Sequence, residues 1–279
     1  MKADMRKRYS LPAAKHLVLL ALSLTSLFPI ILTISTALKT EQDVRRNPFS
    51  LFSSFSTDNL ATAWNVGHFS DYLVNTFVLT IPSTALVVIV STAAGYAFAK
   101  LPFRGRTFVY YVAIVGLLVP FFTYMIPLYF QLQGMALLDT LPGVIRVLTT
   151  TGLSFGAVFM RAFFEDLPPE LEQAARIDGA SEWQIFSRIM LPLVSSGAGA
   201  LAVFTFLQNW NNLLVPLLYL PGGDFRPLTM GLYVFASGRG IDTGPLAAGT
   251  LVTILPVIVL FIALQRQVTR GILAGAVKG

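Results

Sequence analysis

Apolar residues run through this chain in long blocks, separated by short polar or mixed-charge segments. A helix that crosses a bilayer needs about 20 mainly apolar residues. Six stretches meet that need, at 17–38, 73–99, 108–130, 141–164, 193–220 and 245–264. The first is longer than the apolar region of a secretory signal and is poorly followed by a small-residue cleavage site, so it reads as a span. Arg146, Thr149, Thr150 and Thr151 dilute the fourth, and the fifth carries Gln208, Asn209, Trp210, Asn211 and Asn212 in its second half. Pro29, Pro82, Pro120, Pro127, Pro216 and Pro256 fall inside spans, where each frees a carbonyl and can kink its helix. The pattern predicts an all-α, polytopic membrane protein with six transmembrane helices forming a single domain over 1–279.

Composition agrees. The 279 residues are 54% hydrophobic and 12% charged, against about 25% charged in ordinary soluble domains. Too little charge remains to coat a soluble surface. Cysteine is absent, which excludes disulfides, thiolate metal sites and thiol nucleophiles. His16 and His68 stand far apart and outside any carboxylate cluster, so neither metal binding nor histidine-based catalysis is expected.

The net charge of +6 is explained by its distribution. With the N-terminus inside, the inner segments hold fourteen Lys and Arg and the outer segments six. That bias predicts both termini and the segments 100–107 and 165–192 on the cytoplasmic side. The basic excess is then a topological signal, and nucleic acid is not an expected partner. The outer segment 39–72, with Trp64, reads as a folded cap. The outer connection 221–244 is rich in Gly and Pro and is expected to be mobile.

The segment 165–192 differs in kind from its surroundings. Asp166 is placed to cap a first helix, with Pro168 and Pro169 in its opening turn. Glu170 and Glu172 then lie near the positive end of the helix dipole. Gly179 suits a left-handed cap, and Ser181 with Gln184 three residues on predicts a capping box opening a second helix. Trp183, Phe186, Ile189 and Met190 give that helix an apolar stripe. Such a stripe either lies on the membrane or its own bundle, or docks into a groove on a cytosolic partner. Ala174, Ala175, Gly179 and Ala180 favour docking, because small residues let another surface approach the backbone.

Ala174-Ala175, three residues, Gly179, nine residues, then Ile189, Leu191 and Pro192 resembles the "EAA" loop of ABC importer permeases. The family's Glu before Ala-Ala is Gln173 here, with Glu172 one place earlier. The stretches 94–106 and 270–279, the step Met125-Ile126-Pro127 and Trp210-Asn211 followed by Pro216 resemble the MalG-like permeases of the carbohydrate-uptake class.

The resemblance implies a type I (MetI-like) transmembrane domain in a cell membrane, with no catalytic residues. It further implies a second, homologous permease, two cytoplasmic ATPase subunits, an extracytoplasmic sugar-binding protein and a lipid surround. It makes 165–192 the coupling loop, carried by Glu170, Glu172, Gln173, Ala174, Ala175 and Asp178, then by Gly179, Ala180, Ile189, Leu191 and Pro192. The chain lacks the Gly-x-x-x-x-Gly-Lys-Ser/Thr phosphate loop, so no cofactor is expected on it, and ATP with Mg would bind the partner subunits. Asn209, Trp210, Asn211 and Asn212 either line the substrate path, offering amides and a flat indole face to a sugar, or tie neighbouring spans together. Two alternatives remain: an ABC importer permease for a non-sugar solute, and an ion-coupled secondary transporter. The second would need ionisable groups at membrane depth, and none of the six spans contains Asp or Glu.

Overall fold

The computed structural model of the chain describes residues 13–237 and 242–276, which are helical without strands. The basic positions Lys2, Arg6, Lys7, Arg8, Arg239 and Lys278, used above for orientation or the C-terminal resemblance, lie outside the described residues.

Among the described residues, four helices are long and apolar enough to cross a membrane: α1 (Ala13–Ala37), α4 (Phe69–Lys100), α7 (Leu141–Glu165) and α14 (Thr243–Ala276). Between α1 and α4 lie α2 (Glu41–Arg46) and α3 (Asp58–Ala61), the latter running into a π turn at Thr62–Val66. The ends of α4 suit the helix dipole, with Asp71 in its first turn and Lys100 in its last. Thr140 caps α7 by accepting from Gly143 N at 3.2 Å, and Pro142 sits in the first turn, where its missing N–H does no harm.

The two other expected crossings are broken. The stretch 108–130 is not one straight helix. It is α5 (Arg106–Leu118) and α6 (Phe121–Gly134), meeting at 103°. The cause is Pro120, which pushes Val119 into extended backbone (ψ 112°) and supplies no N–H to continue the ladder. The stretch 193–220 is likewise interrupted. There α11 (Ser195–Trp210) ends at Asn211, and α12 (Leu214–Tyr219) restarts with Asn212 Oδ1 accepting from Val215 N at 2.9 Å. The helical stretch Glu182–Leu193 that precedes α11 meets it at 72°. Within the connection expected to be mobile, Leu228–Ser237 forms α13.

The chain separates into two compact units. The first comprises Met1–Phe69 and Leu232–Val252. Its small core joins Ala37, Ala63, Ala247 and Ala248, with Leu60 and Phe235 against them. Lys39 is fully buried there, donating from Nζ to Asn47 O and Ser50 Oγ, each at 2.9 Å. Asn59 Nδ2 donates to Lys39 O at 2.7 Å. The segment after α1 is thus folded, held by its own hydrogen bonds.

The second unit holds Ser70–Gly231 and Thr253–Gly279. Two apolar clusters organise it. One gathers Leu79, Val144, Leu148 and Tyr219, and the other Tyr96, Met160, Phe164, Ile185 and Met190. Helices α4 and α7 approach closely because Gly95 faces Met160: a Cβ there would lie 2.7 Å from the Met160 Cβ. The second cluster positions the candidate site, since it clamps the end of α4 and the end of α7 onto the loop that follows.

Candidate functional site

The loop after α7 carries α8 (Glu170–Ile177), then α9 (Glu182–Gln184), a π segment Ile185–Met190 and α10 (Leu191–Leu193). Asp166 does not cap the first helix. It ends α7, with its own N–H bonded to Phe164 O, and α8 begins at Glu170 behind Pro169. An N-cap side chain bonds the amides two and three residues on. For Asp166 those residues are Pro168 and Pro169, which have none. Glu170 and Glu172 still occupy the first turn of α8.

The exit from α8 is a Schellman motif. Ala180 N donates to Ala175 O at 3.0 Å and Gly179 N to Arg176 O at 3.1 Å, with Gly179 at φ +80°. A Cβ on Gly179 would meet nothing within 4 Å, so the backbone turn, not crowding, calls for glycine. Ser181 then caps α9 with the full capping box: its Oγ accepts from Gln184 N, and Gln184 Oε1 accepts from Ser181 N at 2.8 Å.

The apolar stripe differs from the 3.6-residue expectation. The buried residues are Ile185 and Met190, five apart, because the backbone between them is a π turn. Phe186 and Ile189 are half-buried against the same cluster, whereas Trp183 points outward at 71% exposure. Leu191 is half-buried, and Pro192 sits in the first turn of α10.

Two faces result. Inward go Glu172 and Ala175, with Ala180 half-buried. Outward go Glu170, Gln173, Ala174, Asp178 and Gly179, together with Ile177 at 85% exposure. The position that departs from the EAA pattern, Gln173, is therefore exposed. The neighbouring Glu172 is buried and carries the ion pairs: Lys100 Nζ lies 3.3 Å from its Oε1 and Arg176 Nη2 lies 3.3 Å from its Oε2. Arg176 also bonds Glu182 at 2.8 Å, which raises the Arg176 pKa and holds the Glu182 carboxyl below the usual carboxylate range. The sequence reading used Lys100 as a topology signal and Arg176 likewise. The Arg176 partnership is a local one, four residues along the same helix, whereas the Lys100 partnership with Glu172 was not visible in the local pattern.

The run 209–212 behaves otherwise. Asn209 is buried and donates to Ser83 Oγ at 2.9 Å. Trp210 is buried between Phe77 and Phe206 and donates from Nε1 to Thr253 O at 3.1 Å. Asn212 caps α12. Asn211 is exposed, its Nδ2 donating to Leu207 O at 2.8 Å. The structure thus separates Asn211 from its three neighbours. Among the described residues no three His, Cys, Asp or Glu side chains gather to hold a metal ion.

The site can therefore present a small-residue, partly apolar surface on a stiff, capped loop. Comparison with known proteins gives this surface a setting. Residues 88–273 match the family described as "Binding-protein-dependent transport system inner membrane component". The chain is 33% identical over 268 residues to the diacetylchitobiose uptake system permease protein NgcG of Streptomyces coelicolor, covering 95% of this chain and 89% of that protein. It is 33% identical over 280 residues to the lactose transport system permease protein LacG of Rhizobium radiobacter, covering 100% of each. It shares its fold with a chain of a bacterial ABC transporter involved in the import of the acidic polysaccharide alginate. That likeness has a TM-score of 0.82 at 21% identity and covers 91% of this chain and 95% of that one.

Proposed function

The chain belongs to the family of binding-protein-dependent transport system inner membrane components, a multi-pass permease subunit and not an enzyme, and from that premise we propose that it imports a sugar or sugar derivative. The support for a carbohydrate cargo is the run of relatives named for diacetylchitobiose and lactose transport. In this reading a second homologous permease completes the pathway. Two ATPase subunits bind ATP and Mg from the cytoplasm, and an extracytoplasmic binding protein delivers the sugar. Both termini and the loop 165–192 face the cytoplasm, as the Lys and Arg bias favours.

One observation carries the mechanism: Ala174, Ile177, Gly179 and Trp183 are exposed on a loop whose other face is buried in the chain's own core. A large apolar side chain left in water at such a place is a docking feature. ATP-driven closure of the ATPase pair displaces the docked loop, and this differential contact shifts the helices between inward-open and outward-open arrangements. The prolines inside α1, α4, α6 and α14 each remove a backbone N–H, which makes them places where those helices can bend as the arrangement shifts.

The test uses Gly179→Asp. Aspartate tolerates the left-handed conformation better than most residues, so the turn survives while a carboxylate enters the docking face. Tagged wild type, extracted from its native membrane in mild detergent, should bring down an ATPase and a second permease; the variant should keep the permease and lose the ATPase. Retention of the ATPase by the variant would remove 165–192 from the docking role. The ligand released from the co-purified binding protein, read by mass spectrometry, decides between a sugar and another solute.

A further inference from the structure

The buried side of the docking loop is held by charge, at the last turn of one helix. Tyr96 and Lys100 are four residues apart on α4 and so share a face. Lys100 Nζ donates to Leu167 O at 2.8 Å, where the loop begins, and lies 3.3 Å from Glu172 Oε1 on α8. Glu172 passes the link to Arg176, and Arg176 to Glu182 at the start of α9. Tyr96 OH returns it to α4 by donating to Glu182 Oε2 at 3.5 Å. The Lys100 and Glu172 side chains are 10% and 6% exposed, so water does little to screen their attraction.

We propose that Lys100 is the positioning residue through which movement of the docking loop is transmitted to α4; the inference rests on the docking reading of 165–192. Apolar contacts under the loop, such as Ile185 and Met190 against Phe164, resist separation but are non-directional. A buried ion pair adds little net stability, because desolvation offsets its Coulomb gain. What Lys100 supplies is a two-point link, a directional hydrogen bond to Leu167 O before α8 and a charge contact with Glu172 within α8, so a shift of α8 is passed to α4. The Glu172 Oε1 atom accepts no aligned hydrogen bond, so the Lys100 contact is Coulombic and is lost outright when either charge is removed.

The experiment is done on the assembled transporter in liposomes, with the binding protein purified natively and carrying its own ligand. The readout is the factor by which that binding protein stimulates ATP hydrolysis, a signal that must cross the permease. In Lys100→Met and in the near-isosteric Glu172→Gln, the stimulation factor should fall by about threefold or more while the ATPase subunits remain bound. The double reversal Lys100→Glu with Glu172→Lys should regain part of it, since the pair is restored but the bond to Leu167 O is not. Unchanged stimulation in both single variants would overturn the proposal. So would loss of the ATPase from the Glu172→Gln complex, because the pair would then shape the docking face instead of transmitting its movement. A double reversal no better than the singles would also count against it. A wild-type complex that carries no ATPase would overturn the docking reading itself.

Discussion

In the run 209–212, Asn209 and Trp210 turn their polar groups inward from an apolar stretch and bond to α4 and α14. In the loop after α7, apolar Ile177 and Trp183 sit on a polar segment and turn outward. Both regions break the surrounding pattern, and the direction of the break separates them. A polar group at membrane depth must be satisfied, and Ser83 and the Thr253 carbonyl satisfy Asn209 and Trp210. An apolar group on a polar segment is under no such obligation to stay exposed, and the proposed docking gives the exposure of Ile177 and Trp183 a reason.

The sharpest way to break this comparison is to truncate one tryptophan from each region. Trp210→Ala should cost about 3–5 kcal/mol, because it empties a packed site between Phe77 and Phe206 and removes the hydrogen bond to the Thr253 carbonyl. Thermal unfolding in detergent checks it. Trp183→Ala should leave stability within about 0.5 kcal/mol of wild type. Combined with Ile177→Ala, it should weaken ATPase binding by about 2 kcal/mol, a factor of roughly 30 in affinity measured with purified subunits. If the two tryptophans exchanged these effects, the assignment of inner and outer roles would be wrong.

Asn209→Leu should cost about 1 kcal/mol, the scale of one hydrogen bond between membrane helices, without changing cargo affinity. Asn211→Leu should leave stability nearly unchanged. A loss of substrate affinity in that variant alone would mark Asn211 as the member of the run that touches cargo.

The smallest effect concerns pH. The Arg176 bond holds the Glu182 carboxyl below its ordinary range, so the link stabilises the loop above that range and is lost as pH falls through the lowered value. Both side chains are substantially exposed, which keeps the contribution under about 1 kcal/mol. Trp183 fluorescence followed from neutral to acid pH should change below the usual carboxylate range in wild type and stay flat through that window in Glu182→Gln.

What could be read from the sequence was local. The capping box of Ser181 with Gln184 and the left-handed Gly179 are set by residues within one turn, and both form. Asp166 misled because a preferred capping residue was followed by two prolines that remove the amides it would bind. The burial of Ile185 over Trp183 was hidden because a π turn resets the period of the stripe. Pro120 marked a place where the span at 108–130 can kink, but the uninterrupted hydrophobicity on both sides did not show that the break would reach 103°. Lys100 with Glu172 is a tertiary pair, and no periodicity joins residues so far apart.

The near right angle between α5 and α6 has a consequence for how the chain is made. With 13 and 14 residues, each helix rises about 20 Å, short of the roughly 30 Å hydrocarbon layer. Neither can be threaded into the bilayer as a crossing in its own right. As synthesis proceeds, the insertion machinery must treat them together as one greasy segment. Leu128 of α6 packs on a cluster drawn from both sides of it in sequence, Leu79 of α4 before it and Val144 and Leu148 of α7 after it, and Tyr219 of α12 donates to Met125 O at 2.8 Å. Pro120 opens the corner locally, but the Tyr219 contact that helps fix its angle is added only after α12 has been made, so a ribosome stalled before Tyr219 should hold a nascent chain whose middle is broken at Pro120 without that contact.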